Sequence, residues 1–88
     1  MPEISRFYGI IIRIFFESGR HQLPHIHAAY NEYVASYTID PPALLAGAMP
    51  RKQQNLIMAW IELHQEELLE NWQLVSHNQI PNKLDGLR

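Results

Sequence analysis

The fold is decided by residues 25–38, which read HIHAAYNEYVASYT. Two β-prone segments flank the pair Asn31-Glu32, and a two-residue loop is the commonest connection in a β-hairpin. Asn tolerates the positive φ that the first loop position needs. The sequence therefore predicts an antiparallel hairpin. Its register pairs Tyr30 with Tyr33, Ala29 with Val34, Ala28 with Ala35, His27 with Ser36, Ile26 with Tyr37 and His25 with Thr38.

The two faces of this hairpin differ in chemistry, because successive side chains of a strand point to opposite sides. His25 and His27 share one face with the hydroxyl groups of Ser36 and Thr38, and the other face is apolar. Histidine acts as proton donor, proton acceptor or metal ligand near neutral pH. The histidine pair is therefore the clearest candidate for a functional site.

Further strands are predicted on both sides of the hairpin. Residues 8–17 are β-branched and aromatic, and residues 43–48 form a candidate edge strand after Pro41-Pro42 ends the hairpin. One face of the first strand carries Ile10, Ile12, Ile14 and Phe16, and the other carries Ile11, Arg13 and Phe15.

Residues 50–76 are rich in helix formers, with an apolar stripe at spacings of three and four. The stripe consists of Ile57, Ile61, His64, Leu68, Trp72 and Val75, and is widened by Leu56, Trp60 and Leu63. A helix of about 25 residues measures about 37 Å, which is more than so small a domain needs. It is expected to bend or break near residues 64–67, or to project one end toward a partner.

These elements predict an α+β fold in a single domain, residues 1–88. An antiparallel sheet of three to five strands (residues 3–48) packs against one long or broken helix (residues 50–76), and residues 78–88 form a loosely packed tail. The predicted core places side chains of the sheet against side chains of the helix. They are Ile10, Ile12, Ile14, Phe16, Ile26, Ala28 and Tyr37 against Ile57, Trp60, Ile61 and Leu68.

Composition narrows the classes of function. Seven basic and nine acidic residues give a net charge of −2, which argues against an extensive contact with nucleic acid. The lack of cysteine excludes disulfides and thiolate metal sites and fits a reducing compartment. No apolar run approaches the roughly 20 residues of a membrane span, and no signal-peptide order precedes the first strand. We expect a soluble cytoplasmic protein.

Two chemistries are open to the histidines. A metal ion would need a third ligand besides the pair, from His64, Glu67 or His21. The apolar stripe directs His64 toward the face opposite the pair, so the sequence predicts no three-histidine zinc site, no metal and no cofactor.

Alternatively, the pair acts as acid and base in phosphodiester cleavage. The catalytic candidates are then His25 and His27, with Arg13 holding a phosphate and His64 orienting the site. Simpler interpretations remain open as well: a solvated strand face for the pair, and a buried, hydrogen-bonded His64.

The two tryptophans of the helix stripe, Trp60 and Trp72, are most simply core residues. Trp72 lies near the far end of the helix, where the sheet need not cover it, and an uncovered Trp is a typical interface anchor. The sequence therefore makes Trp72, with Trp60, the candidate partner-binding residues.

Short motifs extend along nearly the whole chain. They are Pro2-Glu3-Ile4-Ser5-Arg6-Phe7 with Gly9 and Ile10, Pro24-His25-x-His27, Glu32-Tyr33, Trp60-x-Glu62-Leu63-His64-x-Glu66-Glu67-Leu68 and Asn71-Trp72. In this combination the chain resembles a family of small bacterial proteins catalogued as domain of unknown function 4160. Leu23-Pro24 replaces the family's usual tandem proline, and Asn31 its frequent turn glycine.

The resemblance implies a component of a two-gene module of toxin–antitoxin type, beside another short protein, and carries over no catalytic residue. The leading hypothesis is therefore a module component that acts through a small partner protein, with RNA-directed activity as one form of action and homo-oligomers as an option. The alternatives are a histidine-dependent phosphodiesterase or ribonuclease, and a metal-binding domain without catalysis.

Overall fold

The computed structural model describes residues 2–17 and 22–88, and it confirms the α+β class. Five strands form one antiparallel sheet in chain order, and two helices follow. The strands are β1 (Glu3–Phe7), β2 (Ile10–Arg13), β3 (His25–Tyr30), β4 (Tyr33–Thr38) and β5 (Ala43–Gly47), and the helices are α1 (Arg51–Leu63) and α2 (Gln65–Ser76). No helix in the described ranges is long and apolar enough to cross a membrane.

The central hairpin, β3–β4, has the predicted register at every pair from Tyr30/Tyr33 to His25/Thr38. Asn31 adopts a φ of 51° in the connecting turn, as the loop geometry requires. Because side chains alternate along a strand, a slip of one residue would carry both histidines to the other face. The turn chemistry therefore fixes the location of the candidate site.

The segment predicted as one strand over residues 8–17 is shorter in the structure. Tyr8 and Gly9, with φ of 50° and 79°, form the turn between β1 and β2, and β2 ends at Arg13. Phe16 was placed in the core by alternation, and this prediction is wrong, since its side chain is 41% exposed. Beyond Arg13 the backbone is irregular, so alternation no longer determines which side chains are buried.

The helix breaks where the sequence predicts, at His64. This residue has φ −115° and ψ 24°, and its N–H points at the carbonyl oxygens of Trp60 and Ile61. The other predicted core residues are buried with 0–1% exposure. The apolar stripe of both helices therefore covers one face of the sheet.

The C-terminal tail, residues 78–88, is hydrogen-bonded to the body of the domain at several points. The indole Nε1 of the fully buried Trp60 donates to the carbonyl of Asp85 at 2.8 Å. Leu84 N–H donates to the carbonyl of Ile4 in β1, also at 2.8 Å. These partners on the tail are backbone groups, which carry no recognisable signal in a sequence.

A buried amide in α2 provides the third attachment of the tail. Asn71 is 0% exposed, donates from Nδ2 to the carbonyl of Asn82 at 2.9 Å, and accepts from the Asn82 N–H at 2.8 Å. Both polar atoms of its side chain are therefore satisfied, as a buried amide requires.

Candidate metal centre

One carboxylate and two imidazoles meet where the chain leaves β2 and where β3 begins. Glu17, His25 and His27 each offer one ligand atom, and these atoms all lie within 4.8 Å of one another. The rings of the two histidines are 5.0 Å apart and meet edge to face. The predicted shared face of the histidine pair is thus present, with an acidic group added to it.

His25 is held in a defined orientation and tautomer. Its Nδ1 lies 2.7 Å from the carbonyl oxygen of Leu23. A carbonyl can only accept, so Nδ1 carries the proton and Nε2 of the neutral ring keeps its lone pair. The ring is only 6% exposed because Trp72 of α2 packs against it at 5.0 Å. Metal-binding histidines typically donate the other ring N–H to such a second partner.

His27 has an unused nitrogen in a dry environment. Its ring stacks on Phe15 at 4.2 Å with an interplanar angle of 10°. The Nε2 atom is buried and has no hydrogen-bond partner among the described residues. Burial lowers the pKa of His27, and the neighbouring His25 lowers it further, against a smaller opposing effect of Glu17. The neutral ring, which is the form that binds metal, is therefore favoured.

Glu17 is the most exposed of the three candidate ligands. Its side chain is exposed, whereas its backbone N–H donates to Oε1 of Gln22 at 3.3 Å. This bond links the segment after β2 to the segment that leads into β3. This hydrogen bond therefore helps to hold the backbone of Glu17 close to the histidines.

The three groups fit a transition-metal ion in both geometry and donor type. Zinc ligands at about 2.0–2.1 Å lie ~3.4 Å from one another in a tetrahedron, so ligand atoms within 4.8 Å need only small side-chain rotations to converge. Two imidazoles and a carboxylate occur in catalytic zinc sites and in ferrous oxygenases, where further coordination positions stay open. Glu17, His25 and His27 would hold the ion.

The structure brings together three of the four residues predicted as catalytic. Arg13 is the direct neighbour of His27 across the β2–β3 pair, and His25 is adjacent. His64 lies outside this group: its Nδ1 is 2.7 Å from Oε1 of Glu67, and its ring contacts Trp60.

The sequence also named His21 and Glu67 as possible third metal ligands. His21, a possible third ligand, falls outside the described residues. Glu67, the other alternative to His64, pairs with His64 itself.

Both tryptophans predicted to bind a partner lie inside the domain. Trp60 is 0% exposed, and Trp72 is 6% exposed between His25 and Phe16. The sequence placed the histidine pair on the face away from the helix. In the structure the end of α2 carries Trp72 against His25, so this helix reaches the site.

Glu17 is the site residue that the sequence analysis missed. Arg13 and Phe15 were assigned to one face by alternation, and the next position of that series is Glu17. A turn signal, Ser18-Gly19, follows Glu17 at once. The connection between Glu17 and His25 determines whether the carboxylate returns to the histidines, and no residue pattern reveals its path.

Comparison with known proteins gives a family and no further relative. No curated protein and no solved structure matches the chain. The family model described as Domain of unknown function (DUF4160) matches residues 9–73, which include all three metal-ligand candidates and most of both helices. The chain therefore belongs to the DUF4160 family.

Proposed function

We propose that this protein binds one divalent transition-metal ion through Glu17, His25 and His27. The observation that carries the proposal is the convergence of their three ligand atoms within 4.8 Å. The bond from His25 to the Leu23 carbonyl supports it because it leaves a lone pair on Nε2 of His25, and the buried Nε2 of His27 supports it because this atom has no partner in the described chain. A bound ion of this kind supplies Lewis-acid chemistry at its open coordination positions.

A metal-free acid–base pair is the less suitable use of the same residues. General acid–base catalysis by two histidines needs one imidazolium and one neutral imidazole. Burial lowers the pKa of His27, and the protonated neighbour would lower it further. The carbonyl of Leu23 also occupies one N–H of His25. The bond to the Leu23 carbonyl leaves Nε2 of His25 with a lone pair, and a buried ring nitrogen of His27 is without a partner among the described residues; beside a carboxylate, these groups suit a cation.

Zinc titration of chelator-treated protein tests the proposal. We expect one equivalent of Zn²⁺ to bind, Co²⁺ to give the absorption of a low-coordinate nitrogen and oxygen site, and Mg²⁺ to bind far more weakly because it prefers all-oxygen ligands. His27→Ala should weaken zinc binding by at least about tenfold, the lower range seen when even an outer partner of a metal ligand is lost.

Matched variants identify the ligands. Glu17→Gln should weaken zinc binding, whereas His77→Ala, at an exposed histidine of the α2 terminus, should leave it unchanged. His64→Ala tests the alternative in which His64 is the third ligand beside His25 and His27. This variant should also bind zinc normally. Zinc affinity that is unaffected by Glu17→Gln and His27→Ala, in variants with native circular dichroism, would refute the site.

A second candidate role is a cytoplasmic component of a toxin–antitoxin-type module that acts through a partner protein. The observation that favours it is the edge strand β5. Its residues Ala43–Gly47 include no charged side chain, and Leu44 and Leu45 are each 46% exposed. An uncharged, exposed edge strand is a site where an extended segment of another protein can add a strand.

Growth on induced expression tests this second role. If the chain acts as a toxin through β5, expression should arrest growth and Leu45→Lys should relieve the arrest. Leu63→Lys is the control, since Leu63 is a 70% exposed leucine on α1. Normal growth with the unaltered chain, or equal relief by both variants, would contradict a toxin role that depends on β5.

A further inference from the structure

A pocket lies on the outer face of the sheet, beside the candidate metal centre. It has a volume of about 320 Å³ and is lined by Arg13, Phe15, His27, Ala28, Ala29 and Val34. An apolar cavity of about 150 Å³ already accommodates benzene, so this pocket has room for one aromatic ring with a polar substituent. Its wall of stacked rings, Phe15 on His27, is shared with the metal centre.

Arg13 brings a positive charge to this pocket without a directly bonded carboxylate among the described residues. Its cross-strand neighbour is Glu3, a carboxylate that could pair with it. Both carboxylate oxygens of Glu3 are occupied by Arg6, at 2.8 and 3.0 Å. Among the residues that the structure describes, Arg13 has no carboxylate within ion-pair distance. Its guanidinium is therefore available to a ligand.

We propose that this pocket binds a small ligand that combines a flat apolar body with one oxyanion, either a phosphate or a carboxylate. The guanidinium of Arg13 binds the oxyanion, because its fork of N–H donors matches both groups. The apolar body lies on Ala29 and Val34, against the edge of the ring pair formed by Phe15 and His27. Binding of the oxyanion by Arg13 does not need a metal. The pocket proposal rests on the proposed metal site only in placing the ligand beside the bound ion.

Ligand titrations followed by NMR of the labelled protein test this proposal. Phenyl phosphate and benzoate distinguish the two oxyanions, and benzyl alcohol provides the same ring without charge. We expect at least one of the two anions to shift the methyl signals of Ala29 and Val34, and benzyl alcohol to bind much more weakly. Arg13→Gln should weaken anion binding by about tenfold or more, the loss of one charge-assisted hydrogen bond.

Two further variants distinguish binding in the pocket from a general effect of the charge of the protein. Arg51→Gln removes an exposed arginine at the start of α1 and should leave binding unchanged. Val34→Glu, at a residue that is 62% exposed, places a negative charge at the pocket while Arg13 itself is unchanged. This variant should abolish anion binding. Equal binding by Arg13→Gln and the unaltered protein, or equal binding of benzyl alcohol and the anions, would overturn the proposal.

The same titrations, repeated with chelator and with one equivalent of Zn²⁺, separate this proposal from the metal site. Anion binding that depends on Arg13 in chelator would support the pocket even if zinc failed to bind. If zinc binds and depends on Glu17 and His27, but neither anion binds in either condition, the metal site stands and the pocket proposal is wrong.

Discussion

Replacement of Asn71 by Ala should destabilise the domain by detaching its tail. The substitution removes two hydrogen bonds, at 2.8 and 2.9 Å, and leaves the N–H and carbonyl of Asn82 without their side-chain partner. Such bonds contribute about 0.5–1.5 kcal/mol each, or about 1–3 kcal/mol together. Ala is the better helix former by up to about 0.7 kcal/mol. A net loss of about 0.3–2.3 kcal/mol is expected, which lowers the Tm of a domain of this size by about 1–18 °C.

Urea unfolding in the presence of a chelator, followed by far-ultraviolet circular dichroism, measures this loss without interference from bound metal. The control is Asn55→Ala, the same substitution at an exposed position of α1, which should leave stability unchanged or slightly raised. Hydrogen exchange of the Asn82 amide should accelerate only in Asn71→Ala. The reasoning is refuted if the two variants are equally stable, since the tail would then contribute nothing through Asn71.

Three further outcomes are expected from the structure. In chelator-treated protein the free energy of unfolding should fall as the pH drops below about 6.5, because burial lowers the pKa of His27 and the unfolded state binds the additional proton. His27→Gln should flatten that part of the pH profile, and an unchanged slope would contradict the assignment. Gly47→Ala should lower the Tm, since Gly47 has a φ of 87° and a Cβ there would overlap the backbone of Val34; an unaltered melting curve would count against this geometry. Trp60→Phe keeps an aromatic ring in the core but loses the donor to the Asp85 carbonyl, so a cost of about 1–3 kcal/mol is expected in urea, and full stability would show that the bond contributes little.

The parts of the fold that follow from local chemistry could be predicted from the sequence. The Asn31-Glu32 loop determined the β3–β4 register and so the shared face of His25 and His27. Helical spacing identified the apolar stripe, and its excessive length indicated the break at His64. Each of these depends on residues close together in the chain, where turn preference and periodicity act directly.

The parts that depend on distant backbone could not be predicted. Phe16 follows the end of β2, where its exposure is decided by the path of irregular backbone. Glu17 joins the metal centre through the connection to β3. Trp60 and Asn71 bind backbone carbonyl and amide groups of the tail, which nearly every residue type possesses. The carboxylate ligand candidate and the hydrogen bonds of the tail are therefore properties of the folded chain, which residue patterns do not indicate.

The position of the tail limits how copies of this protein can polymerise. Leu84 binds the carbonyl of Ile4, and Gly86 lies close to the carbonyl of Arg6, so the tail runs along the outer edge of β1. Within the described chain, β5 is the edge of the sheet left open. Growth of a fibre by strand addition needs two open edges on every copy, one to accept the previous molecule and one to receive the next. A molecule with a single open edge can form a closed pair and then stops growing.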